Sequence, residues 1–195
     1  RTERSKLQIN DLIDWTLRQA ALIRGTVEDT QLRIDGYDFL NLGLYLERGD
    51  STARLLDVKY FVLLPEIGYV GSGLDNYQWR TILRAMSAHR AFNWAYGGEV
   101  TPRKIADFLI LNRKAPRSLI TGAEEASWHL ARLARAYGRT TEAQTQARTI
   151  LAYLADLSVD DIFDEGLHEF LTRTIAEIAA LSTTISTVYL SGETR

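Results

Sequence analysis

Five charges crowd into one short stretch of this chain, Tyr45-Leu46-Glu47-Arg48-Gly49-Asp50-Ser51-Thr52-Ala53-Arg54-Leu55-Leu56-Asp57, set in an otherwise apolar run. A carboxylate taken out of water must be paired, hydrogen-bonded or protonated. Glu47, Arg48, Asp50, Arg54 and Asp57 therefore mark either an ion network or a polar pocket. Advancing about 100° per residue along a helix puts Glu47 and Arg54 on one arc with Leu40, Leu44, Val58 and Val62. A second apolar arc holds Leu42, Leu46, Ala53, Leu56 and Tyr60, and a polar sector holds Asn41, Arg48, Thr52 and Lys59. The pattern predicts a helix buried on two sides, with Glu47 and Arg54 facing inward and Arg48 facing the polar side. Glu47 and Arg54 lie about 10 Å apart along the axis, so each is expected to meet an opposite charge from another helix. Asp50 and Arg54 are spaced to pair directly, and Asp57 to share Arg54. Two readings stand: a structural network that sets helix register, or a pocket for a charged ligand or partner loop.

Other constellations carry less. Arg113-Lys114-Ala115-Pro116-Arg117-Ser118 gathers cations at a predicted helix N-terminus, where the helix dipole favours anions. Either acidic side chains from elsewhere compensate, or an anion docks on the free N–H groups beside Arg117 and Ser118. Glu165-Gly166-Leu167-His168 has the Glu-x-x-His spacing of di-iron bundles, but His89 and His129 lack the matching glutamate, so no metal is expected. Arg80, Arg84 and Arg90 alternate with Trp79, Phe92, Trp94 and Tyr96, rings whose helical spacing reads as core. The stretch Gly68 to Gly73 reads as a loop without a P-loop ending, and no nucleophile-elbow sequence occurs.

These residues must be positioned by helices. The prolines, Pro65, Pro102 and Pro116, sit where helices should start or stop, and the intervening stretches are rich in helix formers. Helices are predicted from about Ile9 to Thr30, Tyr37 to Pro65, Asp75 to Tyr96, Pro102 to Leu111, Pro116 to Tyr137 and Glu142 to Leu157. A last one opens at a capping box, Ser158-Val159-Asp160-Asp161, and reaches Val188. Long helices with short connections give an all-α, antiparallel bundle of about six to seven helices in a single domain, 1–195. The net charge of −2 opposes nucleic-acid or anionic-membrane binding. No apolar run approaches the length of a membrane span. The absence of cysteine rules out disulfides and thiolate chemistry and fits a reducing, cytoplasmic setting. The chain starts without methionine, which is expected of a processed protein or a piece of a longer one.

The run Phe39 to Tyr60, with Arg90-Ala91-Phe92, Phe108-Leu109-Ile110-Leu111-Asn112 and Pro116-Arg117-Ser118-Leu119, resembles the bacterial alpha-E domain family. That family is named for an all-helical domain with a Glu-Arg motif. Alanine usually follows the motif; here Gly49 does, at some cost in helix stability, and it is expected to mark close approach of another helix. The resemblance implies a C-terminal portion of a longer protein whose N-terminal half carries a related Glu-Arg segment. It further implies a role beside a circularly permuted ATP-grasp protein resembling a peptide or amide ligase, often with a transglutaminase-like protein. It brings no cofactor and no established catalytic residue. The leading expectation is a non-catalytic module that binds the ligase partner or its peptide substrate. The alternatives are a small-ligand or catalytic pocket around Glu47, Arg54 and Arg117, and a self-associating scaffold.

Overall fold

The computed structural model describes residues 9–62, 73–97 and 99–190. They contain helices and no strand. The predicted loop from Gly68 lies outside them as far as residue 72. No described helix is long and apolar enough to cross a membrane.

The chain divides into two compact units, Arg1–Tyr37 and Asp38–Arg195. The first holds α1 (Ile9–Thr30), none of whose residues is buried. Near its end the Arg33 guanidinium lies 4.4 Å from the Tyr37 ring centroid and pairs with Glu28 at 3.3 Å.

The second unit is built on four long helices: α2 (Asp35–Val62, which begins in the first unit), α6 (Leu119–Tyr137), α7 (Glu142–Asp156) and α9 (Leu167–Ile185). Their pairwise contacts set the directions. Asp38 meets His129 and Thr52 meets Arg117, so α2 and α6 run antiparallel. Gly49 faces Ile178 and Asp57 meets His168, so α2 is antiparallel to α9 as well. Gln144 reaches Tyr189 and Tyr153 reaches Arg173, which opposes α7 to α9. The result is a four-helix up-and-down arrangement. A narrow apolar cavity runs between the four, lined by Gly49, Gly122, Ala126, Ala147, Thr174 and Leu181 among others.

Five shorter pieces complete the unit. α3 (Gly73–Ala85) and α4 (His89–Tyr96) occupy the span predicted as one helix. The break falls at Met86-Ser87-Ala88, where Ser87 has a φ of 55°. No glycine or proline marks it; the turn is set by packing, since it carries Met86 and Phe92 into the core and Phe92 onto Phe108 at 5.5 Å. α5 (Pro102–Ile110) starts as expected, with Thr101 capping and Pro102 in the first turn. The last predicted helix is also interrupted. α8 (Val159–Glu165) has the Ser158–Asp161 capping box, Gly166 breaks the chain with a φ of 106°, and α9 ends in a π-helical turn, Ser186–Leu190. The helix predicted from Pro116 begins instead at Leu119, because the Ser118 hydroxyl takes the capping role and accepts from the Thr121 N–H at 3.2 Å. These breaks give nine helices among the described residues where six or seven were expected; the all-α class stands.

Candidate functional site

One apolar arc of α2 is buried as its sequence predicts, with Leu42, Ala53 and Leu56 in the core, but the arc of Glu47 and Arg54 exchanges places with the polar sector. Asn41, Thr52 and Lys59, the polar sector, are 3%, 2% and 0% exposed. Glu47, Ser51, Arg54 and Val58 stand on the outer surface. The reason is partner availability: buried polar groups on α2 find hydrogen bonds on facing elements, which removes the penalty of burial. Thr52 Oγ1 donates to the Arg117 carbonyl at 3.0 Å. Lys59 Nζ donates to Gln78 Oε1 at 3.0 Å and lies 5.4 Å from the Trp79 ring centroid. A helical wheel counts apolar residues but cannot see these partners.

A buried polar contact on α2 lies well before the charged segment, near the start of the helix. Asp38 Oδ1 accepts from His129 Nδ1 at 2.8 Å and from Arg132 Nε at 2.7 Å. The side chains of Asp38 and His129 are each 3% exposed. Because a carboxylate only accepts, the proton of this contact sits on Nδ1. The ring of Tyr45 stacks on His129 at 6.0 Å, Trp128 meets it edge-on at 4.7 Å, and the Arg132 guanidinium covers Trp128 at 4.9 Å. An aspartate behind an imidazole is the orientation used for general bases. Here the ring is buried among packed side chains, so the group braces α2 on α6. Sequence reasoning missed it. The only local signal was the spacing of His129 and Arg132 on one face of α6; Asp38 is 91 residues away from His129.

The charged segment itself is distributed over three surroundings. Glu47, expected inward, is exposed and accepts from Ser51 Oγ at 2.7 Å. Arg48, expected on the open side, is half-buried, with its guanidinium 5.6 Å from the Tyr45 ring centroid. Asp50 and Arg54 pair as expected, at 2.7 Å, and the hydrogen bond from Arg54 to Asp50 raises the guanidinium's pKa. Asp57 does not share Arg54; it accepts from His168 Nδ1 at 2.6 Å and so ties α2 to α9. The Glu-x-x-His spacing is thereby divided between two separate contacts. Glu165 pairs with Arg173 and sits below the usual carboxylate range for that reason. No group of potential metal ligands forms among the described residues.

Between α2 and α9 runs an open groove lined by Gly43, Leu46, Glu47, Asp50, Ala179 and Ser182, among others. Neither Arg54 nor Arg117 lines it. Arg117 is exposed at the start of α6, where its carbonyl, not its guanidinium, makes the contact to Thr52. Ser118 is buried, donating to the Asn112 carbonyl at 2.7 Å while it caps α6. The neighbouring Arg113 is compensated by Glu124, the acidic answer that the basic N-terminus called for. Arg90 is exposed on α4. Trp79 and Phe92 are core, as their spacing implied, and Tyr96 is half-buried. Trp94 is not core: it is 89% exposed.

The family model that matches residues 2–190 is described as a predicted alpha-helical domain with a conserved ER motif. The chain belongs to the Alpha-E family. No curated protein and no solved structure matches it. Within this Alpha-E chain the pair Glu47-Arg48 is divided between two faces of α2: the carboxylate lines the groove and the guanidinium lies near Tyr45, whose ring stacks on His129 of α6. Gly49, next to the pair, is buried against α9, and a methyl added there would stand 3.2 Å from Ile178 Cδ1. The close approach expected at this glycine is present.

Proposed function

We propose that this Alpha-E chain is a non-catalytic binding module that works with an ATP-grasp-type peptide or amide ligase, docking either that enzyme or its peptide substrate. The reading rests on one observation above the rest. The Glu-Arg pair is divided so that Arg48 belongs to the packed side of α2 while Glu47 and Asp50 are offered in the open groove beside Ser182. A groove with fixed acceptors and small walls suits recognition of backbone N–H groups or of cations on a partner. Its carboxylates are already engaged, Glu47 by Ser51 and Asp50 by Arg54, which suits holding a surface in register more than moving a proton. The link to a circularly permuted ATP-grasp protein, and to a transglutaminase-like companion, comes from family resemblance.

Titration calorimetry with an ATP-grasp-type ligase from the same organism tests the proposal. The expected result is micromolar or tighter binding that Glu47→Lys with Asp50→Lys weakens at least about tenfold at unchanged melting temperature. No heat of binding, or equal affinity for the double variant, overturns it.

A further inference from the structure

The modest total charge of −2 conceals a separation along the chain. Residues 77–117 hold eight Lys or Arg against two acids, a formal +6. Residues 149–172 hold six acids and no Lys or Arg, a formal −6. Folding makes these two surfaces. On α3, Tyr77, Arg80, Thr81 and Arg84 recur at helical spacing and are exposed, opposite buried Trp79, Ile82 and Leu83. On α4 the exposed pair is Arg90 and Trp94, again one turn apart. The acidic surface is the end of α7 with α8 and the start of α9, where Asp156, Asp160, Asp164 and Glu169 are exposed around half-buried Leu157, Val159 and Phe163.

The two surfaces are linked through α5, which packs on α3 and α4 and also on α8. At that seam Arg103 pairs with Asp160 and lies 4.9 Å from the Phe163 ring centroid. A two-fold symmetric contact requires a patch complementary to itself. A basic half abutting an acidic half meets that requirement: rotated about an axis near the Arg103–Asp160 seam, each half faces its opposite on a second copy. The exposed residue types also fit, since Trp, Tyr and Arg carry most binding energy at protein interfaces.

We infer that this surface pairs with a second copy of the same chain, in a two-fold contact that sets α3 and α4 of each copy against α8 of the other. The basic half of each copy then meets the acidic half of the other, and Trp94 and Tyr77 gain cover against Leu157, Val159 and Phe163.

Sedimentation velocity on the whole chain tests this. At about 100 µM protein a dimer is expected in low salt, and raising NaCl from about 0.05 M to 0.5 M should weaken it at least about tenfold, as screening shortens the reach of surface charge. Two charge-reversed variants make the test specific. One carries Arg80→Glu, Arg84→Glu and Arg90→Glu; the other carries Asp156→Arg and Asp164→Arg. All five positions are exposed, and unchanged far-UV circular dichroism confirms the fold of each. Each variant alone should be monomeric, because like charges now face across the two-fold. Mixed, they should form a heterodimer, because one contact is restored with its signs exchanged and the other keeps its native signs. Three results overturn the inference: a monomer under all conditions, whether or not it binds polyglutamate or single-stranded RNA; a dimer that survives in either variant alone; or a mixture that stays monomeric.

Discussion

Replacing Asp38 with asparagine separates the two possible accounts of α2. Asp38 is the buried acceptor of two hydrogen bonds from groups that can carry charge, His129 at 2.8 Å and Arg132 at 2.7 Å. A hydrogen bond to a charged group contributes about 1.5–3 kcal/mol. His129 is as buried as Asp38, so its contact keeps its full weight, whereas the Arg132 side chain retains 28% exposure and water recovers part of that loss. An asparagine side chain keeps one acceptor oxygen but brings an NH2 group into a site built from donors. The sum places Asp38→Asn at roughly 2–4 kcal/mol of destabilisation. Glu47→Gln is the control. Glu47 is exposed and bonded to Ser51 on its own helix, so its replacement should cost within about 0.5 kcal/mol. Urea unfolding followed by far-UV circular dichroism measures both, with midpoints compared at unchanged slope. If Glu47→Gln costs more than Asp38→Asn, the Glu-Arg carboxylate faces the core and the orientation of α2 described above is refuted.

Three further outcomes are expected. Glu177, half-buried on α9, has a carboxyl pushed above the ordinary glutamate value of 4.5, first by burial and then by Glu165, with Arg173 opposing. A carboxyl raised in the folded state favours folding while protonated and opposes it once pH climbs past the unfolded value. Glu177→Gln should therefore leave stability unchanged below about pH 4 and raise it increasingly above that value; a gain that is largest in acid would refute the sign. Gly49→Ala should stabilise the chain by roughly 0.5–1 kcal/mol, because the only close atom among the described residues is the flexible end of Ile178, which borders the central cavity. A loss above about 1 kcal/mol in thermal or urea unfolding would mean that Ile178 cannot yield. The Tyr96 hydroxyl, held by burial and its bond to Asp107, is pushed up to about 12. Alkaline difference spectra should show a tyrosine ionising near that value, and Tyr96→Phe should reduce that step by one tyrosine.

Much of this fold was legible in local chemistry. Helix formers between three prolines, Thr101-Pro102 as a start, and the Ser158–Asp161 box as another all act within a few residues, so the sequence by itself determined them. The same holds for the Asp50–Arg54 pair, which needs only one helical turn. The expected acidic partner for the basic start of α6 proved to be Glu124 on the same helix. What tertiary structure decided is which way things face. The inward side of α2 was set by His129, Arg132, Gln78 and the Arg117 carbonyl, partners 19 to 94 residues away that make burial of Asp38, Thr52 and Lys59 tolerable. The break at Ser87 was set by the docking of Phe92 on Phe108, with no local breaker to announce it. Periodicity reports how apolar and polar residues alternate along a helix. Only the neighbouring helices determine which polar residues can leave water, because the cost of burying them is cancelled by particular atoms across the interface.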